Sequence, residues 1–172
     1  MCQVTLERPS LKLRASYVEC LRDFQNADPS RPVNWEWLEN FDLYLEWARN
    51  EAHQKDKNGE PAPQTTFWIV YGGDLAVGKL TLRHKLTSEL EKIGGHFGYE
   101  VRPAYRRKGI AASAFALGLQ KARQLGLKDI YVTCDDDNLG SIGVLECNKG
   151  MLLETYSLID WPKPIRKYFF TA

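Results

Sequence analysis

Arg106-Arg107-Lys108-Gly109-Ile110-Ala111 is the stretch that decides the fold, because it lies between a predicted strand and a strongly periodic helix. The first amides of such a helix have no partner within it, and the helix dipole adds about half a positive charge there. Gly109 allows a positive φ or a close backbone approach, and the three cations supply charge-assisted contacts. The stretch therefore predicts a turn that binds phosphate.

The predicted elements on both sides of this turn alternate between strands and helices. The helix after the turn has a regularly spaced apolar face and a stop at Gly126, and two more amphipathic helices are predicted near the N-terminus, one behind a Ser10 cap and one from Trp35 to Ala48. Residues 87–95 are predicted as a polar connection. The segments predicted as strands are 67–71, 75–82, 96–101, 130–134, 151–159 and 165–170. Hairpins at both ends of this order predict an α/β fold with a mixed, mostly antiparallel sheet flanked by helices.

Composition favours one compact domain over residues 1–172. The chain has 172 residues, of which 44% are hydrophobic, which is enough for a single core. Its 23 lysines and arginines balance 22 acidic residues, so no overall field draws it to nucleic acid or to a membrane. No apolar run approaches a membrane span and the N-terminus has no signal-peptide pattern, so we expect a cytoplasmic protein.

Metal binding is not expected. The four cysteines and three histidines are scattered without the spacing of metal ligands; they are Cys2, Cys20, Cys134, Cys147, His53, His84 and His96. The acidic run Asp135-Asp136-Asp137 precedes a predicted helix at Asn138, and a helix start favours acidic residues. We interpret this run as a helix-start signal.

An acidic helix face offers one hypothesis about the substrate. Glu39, Asp42 and Glu46 share a face by three-and-four spacing in the second N-terminal helix. Such a face is either solvated or lines a site for a cationic amine.

The order of strand, Arg106-x-x-Gly109-x-Ala111, helix, strand and Asn138-x-x-Ser141 resembles the GCN5-related N-acetyltransferase (GNAT) family. Within that family, the segment Gly98-Tyr-Glu-Val-Arg-Pro and residues 141–150 look most like a group of predicted bacterial acetyltransferases. The resemblance is strong over the C-terminal half. It implies central strands that splay apart and one N-acetyltransferase domain. It also implies acetyl (acyl) transfer from acetyl-coenzyme A to a primary amine, by direct attack in a ternary complex.

The resemblance also implies a cofactor site, without a metal. The pantetheine arm would pair with backbone groups of Tyr99 and Val101, and a backbone N–H near Val101 would stabilise the oxyanion. The stretch from Arg106 to Ala111 would wrap the pyrophosphate. Asn138 and Ser141 would contact the pantetheine or phosphate side of the cofactor.

The catalytic acid and base are open. Many family members carry a tyrosine that protonates the departing thiolate, and Leu145 stands at that position here, so the general acid is unassigned. Glu100 and Asp135 are the candidate bases. A lysine-like amine of pKa ~10.4 costs roughly 4.6 kcal/mol to deprotonate at pH 7, whereas an α-amino group near ~7.8 costs about 1 kcal/mol. A weakly basic acceptor would therefore need little help.

A second function remains possible on the sequence. The missing tyrosine and the unclear base also fit a coenzyme A binding module without catalysis. Nucleic-acid binding is not expected, because Arg102, Arg106, Arg107 and Lys108 are not part of a wider basic patch. The sequence leaves open whether the acceptor is a small molecule or a peptide, and whether the chain forms a homodimer.

Overall fold

The computed structural model describes residues 3–51 and 54–171, apart from the side chains of Trp37 and Leu38. Cys2 and His53 lie outside the described residues. The helices are α1 (Arg14–Ala27), α2 (Trp35–Glu39), α3 (Phe41–Arg49), α4 (Ser88–Lys92), α5 (Ile110–Gln124) and α6 (Leu139–Cys147). The strands are β1 (Val4–Glu7), β2 (Gln64–Tyr71), β3 (Leu75–Arg83), β4 (Phe97–Val101), β5 (Asp129–Asp135), β6 (Met151–Tyr156) and β7 (Ile165–Thr171).

The strands form two antiparallel sheets. The first has the order β1-β2-β3-β4, and the second has the order β5-β7-β6. Strands β4 and β5 are consecutive strands along the chain, but each forms the edge of a different sheet. The prediction of an α/β fold with mostly antiparallel strands, splayed in the centre and flanked by helices, is confirmed.

The two sheets meet at one isolated β-bridge, between Gly95 and Val132, in the part of the chain that the structure describes. Next to it, the His96 amide donates to the Tyr131 carbonyl at 2.7 Å, and the Tyr131 amide donates to His96 Nδ1 at 3.0 Å. Gly95 has a φ of +67°, and a Cβ there would lie 2.2 Å from the Tyr131 carbonyl oxygen. Only a glycine allows the sheets to approach this closely.

Helices cover both faces of the first sheet, because the strands of this sheet alternate buried residues to both sides. On one face, Phe115 of α5 packs with Leu80 and Phe97 in the larger core cluster. On the other face, Tyr17 of α1 stacks on Trp68 with their ring centroids 4.1 Å apart. This second face is covered by α1 and α3, whose buried side chains belong to the same cluster as Trp68.

Two strand ends differ from the sequence-based expectations, since β2 begins at Gln64 rather than at residue 67 and β6 ends at Tyr156 rather than at residue 159. Three helical regions also differ. The Ser10 side chain makes no capping hydrogen bond, and a short 3₁₀ turn (Leu11–Leu13) precedes α1. The helix expected from Trp35 to Ala48 is broken at Asn40, whose backbone is not helical and whose residue type competes with helix formation. The connection over residues 87–95 contains α4, which the Thr87 hydroxyl caps by accepting from the Leu90 amide.

None of the helices within residues 3–51 and 54–171 is both long enough and apolar enough to cross a membrane.

Replacing Gly95 with alanine should unfold the junction between the sheets. Gly72 is a matched control, because its φ of +68° is close to the +67° of Gly95 while a Cβ there would meet nothing within 4 Å. We expect Gly72→Ala to lower the free energy of unfolding by about 1 kcal/mol, and Gly95→Ala by about 3 kcal/mol or more. Chemical denaturation measures both, and equal losses would contradict the role of Gly95 in the close approach.

Candidate functional site

The turn before α5 has the backbone of an anion-binding loop. Arg107 has a φ of +61° and Gly109 a φ of +75°, so two left-handed residues bend the chain just before the helix begins. Such turns point successive N–H groups to one side, and the first N–H groups of α5 add to them. A Cβ on Gly109 would meet nothing within 4 Å, so the space in front of the turn is open.

The cations of this turn are not neutralised by carboxylates within the described residues. Arg106 Nε donates to the Val101 carbonyl at 2.9 Å, which holds the guanidinium against the end of β4. The Lys108 ammonium lies 5.0 Å from the centre of the Tyr105 ring. The turn therefore presents uncompensated positive charge to solvent.

The open edge of β4 presents the backbone of Tyr99 and Val101. At one end of the β3–β4 pair, the Arg102 amide donates to the Val77 carbonyl at 2.7 Å. At the other end, the Arg83 amide donates to the His96 carbonyl at 2.8 Å. Along an antiparallel strand, the backbone N–H and C=O groups of successive residues point to opposite edges. The backbone groups of the even-numbered residues of β4 therefore point to β3. The backbone groups of the odd-numbered residues, Tyr99 and Val101 among them, point to the gap between the sheets.

A cavity of about 670 Å³ lies between this edge, the turn and α6. It brings together all of the predicted cofactor residues except Lys108, whose side chain packs on Tyr105 instead. The lining residues are Tyr99, Glu100, Val101, Tyr105, Arg106, Arg107, Gly109, Ile110, Ala111, Ala112, Asn138, Gly140, Ser141, Gly143 and Val144.

The start of α6 is fixed by two of the predicted cofactor residues. Asn138 Oδ1 accepts a hydrogen bond from the Ser141 amide at 3.0 Å and thereby caps the helix. The acidic run before it is engaged elsewhere, since Asp136 pairs with Arg166 and Asp137 pairs with Lys163. The run lies just before α6, as expected, but no acidic residue lies in the first turn of that helix.

The family model described as the acetyltransferase (GNAT) family matches residues 21–148 of the chain, which is well over half of its length. The chain belongs to the GNAT acetyltransferase family. It is an acetyl-coenzyme A dependent acetyltransferase whose acceptor is not identified by this match. No curated protein sequence matches the chain.

Solved structures of GNAT acetyltransferases share its fold. RimJ from Mycobacterium smegmatis, in complex with CoA-disulfide, is 22% identical with a TM-score of 0.70, and the match covers 98% of this chain and 82% of RimJ. MccE, the microcin C7 self immunity acetyltransferase in complex with acetyl-CoA and AMP, is 15% identical with a TM-score of 0.67 over 99% of this chain and 93% of MccE. RimL, a ribosomal L7/L12 α-N-protein acetyltransferase in complex with coenzyme A, is 13% identical with a TM-score of 0.67, and the match covers 98% of this chain and 93% of RimL. At these identities the likeness shows the fold alone.

The two candidate bases of this GNAT chain lie in different places. Glu100 lines the 670 Å³ cavity and a neighbouring cavity of about 430 Å³, and pairs with Arg31 at 2.8 Å and Lys79 at 3.5 Å. We name these the cofactor-side and the acceptor-side cavity, after the roles proposed for them. Asp135 lies at the end of β5, where its Oδ1 accepts from Trp161 Nε1 at 2.8 Å. The structure does not bring the two carboxylates into one pair.

The acceptor-side cavity has a volume of about 430 Å³ and lies under α1 and α3. Its aromatic wall comes from Tyr17, Tyr44 and Trp47. Glu39, Asp42 and Glu46 are exposed and line none of this cavity, so this cavity gives no support to the hypothesis that they form a site for a cationic amine. Helical spacing indicated which residues share a face, but not that the opposite face of α3 turns to the sheet.

Tyr99 is a residue to which sequence reasoning gave only a backbone role. It lines the cofactor-side cavity, the acceptor-side cavity and a third of about 250 Å³ beside Cys134. Its hydroxyl lies 3.5 Å from the Ser141 carbonyl, and burial raises its pKa to about 12. Leu145 is fully buried in the core and reaches none of these cavities. No signal in the sequence distinguished this tyrosine from other strand aromatics.

Metal ligands are absent from the site as far as the structure describes it: no three His, Cys, Asp or Glu side chains within the described ranges are grouped to hold an ion.

Proposed function

We propose that this acetyltransferase binds acetyl-coenzyme A in the 670 Å³ cavity and a primary amine of a small molecule or peptide in the 430 Å³ cavity, and that the amine attacks the thioester directly. The observation that carries the proposal is that the two cavities share Tyr99 and Glu100. An amine and a thioester that enter from opposite sides of β4 would meet there without a covalent enzyme intermediate.

The residues around the cofactor-side cavity fit the parts of coenzyme A. The N–H groups and cations of the stretch from Arg106 to Ala111, Lys108 included, would hold the pyrophosphate. The backbone edge at Tyr99 and Val101 would pair with the amides of the pantetheine arm. An oxyanion needs a hydrogen-bond donor, and the Val101 amide at the open edge of β4 is the group that would supply it. Asn138 and Ser141 would close the opposite wall.

A binding module without catalysis is the weaker proposal. Such a module needs the cofactor-side cavity alone, whereas this chain has a second cavity that opens onto the same two residues. Release of free coenzyme A from acetyl-coenzyme A across a panel of primary amines tests the function. Binding of acetyl-coenzyme A without consumption of any amine would favour the module instead.

Arg107→Gln should weaken acetyl-coenzyme A binding. Loss of one charge-assisted phosphate contact is worth about 1.5–3 kcal/mol, so we expect Kd to rise about tenfold to a hundredfold. Arg123→Gln is the control, because Arg123 is an exposed arginine at the far end of α5. Calorimetric titration compares the variants, and equal Kd values for both would contradict the proposed pyrophosphate site.

We propose that the Tyr99 hydroxyl donates the proton to the departing thiolate. The hydroxyl is protonated at neutral pH, and Tyr99 is one of the two residues that line both cavities. Tyr99→Phe should lower kcat about tenfold or more with little change in KM for acetyl-coenzyme A. Tyr105→Phe is the matched control, since Tyr105 also lines the cofactor-side cavity but not the other two. An unchanged kcat in Tyr99→Phe would exclude this role.

Glu100 is our proposal for the base, because Asp135 does not line the acceptor-side cavity. Without a base, only the deprotonated fraction of the acceptor reacts, so Glu100→Gln should make kcat/KM rise steadily with pH up to the pKa of the amine. Asp135→Asn should keep the wild-type profile. The opposite pattern would assign the base to Asp135, and two unchanged profiles would mean that water takes the proton.

A further inference from the structure

The acceptor-side cavity is positively charged. Of the side chains that line it, Arg31, Lys79 and Arg83 are cationic and Glu100 is the one carboxylate. Arg31 and Lys79 both pair with Glu100, so one carboxylate serves two cations. Three cations against one carboxylate leave an excess of positive charge in a concave, partly desolvated space, where charge interactions are stronger than in water. A polycationic amine would be repelled from such a site.

Arg83 has no carboxylate partner among the described residues. Its Nη1 donates to the Gly95 carbonyl at 2.8 Å, and burial lowers its pKa. A neutral carbonyl satisfies one of the five N–H donors of a guanidinium and does not balance its charge. Arginines as desolvated as this one are normally paired with an anion.

The position of Arg83 places its free donors at the reaction centre. It ends β3 on the same sheet face as Lys79 and Glu100, as the β3–β4 register requires. Its guanidinium lies over Gly98, where a Cβ would come within 3.6 Å of Nη2. It also lines the small cavity between β4 and β5 beside Cys134. An anionic group held by Arg83 would therefore lie next to the point where the cavities meet at Tyr99.

We propose that the acceptor is a small amine that carries a carboxylate close to the amino group, as a free amino acid does, and that Arg83 binds this carboxylate. The planar guanidinium matches a carboxylate with two parallel hydrogen bonds. The 430 Å³ volume suits a molecule of this size, and the aromatic wall of Tyr17, Tyr44 and Trp47 suits an apolar side chain on it. The inference rests on the proposed function, since it takes this cavity as the place where the amine binds.

Matched pairs of acceptors test the substrate class. Leucine and phenylalanine differ from leucinamide and phenylalaninamide only in the carboxylate, and spermidine serves as a polycationic amine. We expect kcat/KM for the acids to exceed that for the amides and for spermidine by about tenfold or more. A carboxylate raises the pKa of the neighbouring amine, so the availability of free amine favours the amides and cannot produce this preference. Equal values for acid and amide, or a preference for spermidine, would overturn the inference.

Arg83→Gln tests the residue. It should raise KM for leucine about tenfold or more and leave KM for leucinamide unchanged, so that the preference for the acid disappears. Arg22→Gln is the control, because Arg22 is an exposed arginine of α1 outside this cavity. Melting temperature and acetyl-coenzyme A affinity show whether each variant is intact. If Arg83→Gln instead lowers kcat for every amine by one factor, Arg83 acts on the transition state and the inference is wrong.

A binding measurement separates this inference from the proposed function. N-acetyl-leucine and N-acetyl-leucinamide are titrated into the protein saturated with coenzyme A, which requires no turnover. We expect the carboxylate form to bind about tenfold tighter or more, and Arg83→Gln to remove the difference. If no amine is acetylated but this difference is found, the proposed function fails while the anion site stands. Equal binding of the two compounds overturns the anion site whatever the enzyme catalyses.

Discussion

The close approach of Gly95 to Tyr131 and Val132 is the constraint on which the rest of the site depends. It joins the two sheets at one end of β4 and leaves the remainder of that edge without a partner strand. An unpaired edge is normally a liability for a protein, because its backbone groups still need hydrogen-bond partners. Here the turn before α5 and the start of α6 close the gap into a cavity, so the same groups line the space where we propose that the cofactor binds. The separation of the sheets and the recognition of a ligand are thus two results of one junction.

Alternation along β4 then sorts the functions of neighbouring residues. Tyr99 and Val101 turn their backbone groups to the open edge and their side chains to the face that α5 covers. Glu100 turns its side chain to the opposite face, where it meets Lys79 of β3 and Arg31. A strand of five residues therefore serves both cavities, and a shift of its register by one residue would exchange them.

The features that could be predicted from the sequence are the local ones. The turn from Arg106 to Ala111, the helix after it and the helix start near Asn138 each depend on residues a few positions apart, so composition and spacing were sufficient. The acceptor-side cavity could not be predicted, because it depends on which face of α3 packs on the sheet and on contacts such as Arg31 with Glu100, which are 69 residues apart. The acidic face on Glu39, Asp42 and Glu46 shows the same limit: helical spacing identified a face but not its environment.

Under the proposed assignment of the acid to Tyr99, the site changes one residue and keeps its chemistry. The position where many relatives carry a tyrosine is Leu145 here, which is fully buried and contributes to the core instead. Tyr99 reaches the same region from the neighbouring strand, with its hydroxyl beside the Ser141 carbonyl on the helix that carries Leu145. The proposed mechanism uses a protonated group near the residues that the cavities share, and Tyr99 supplies it from the strand instead of the helix. A motif that specifies a tyrosine only at the position of Leu145 would therefore overlook a proton donor on the neighbouring strand.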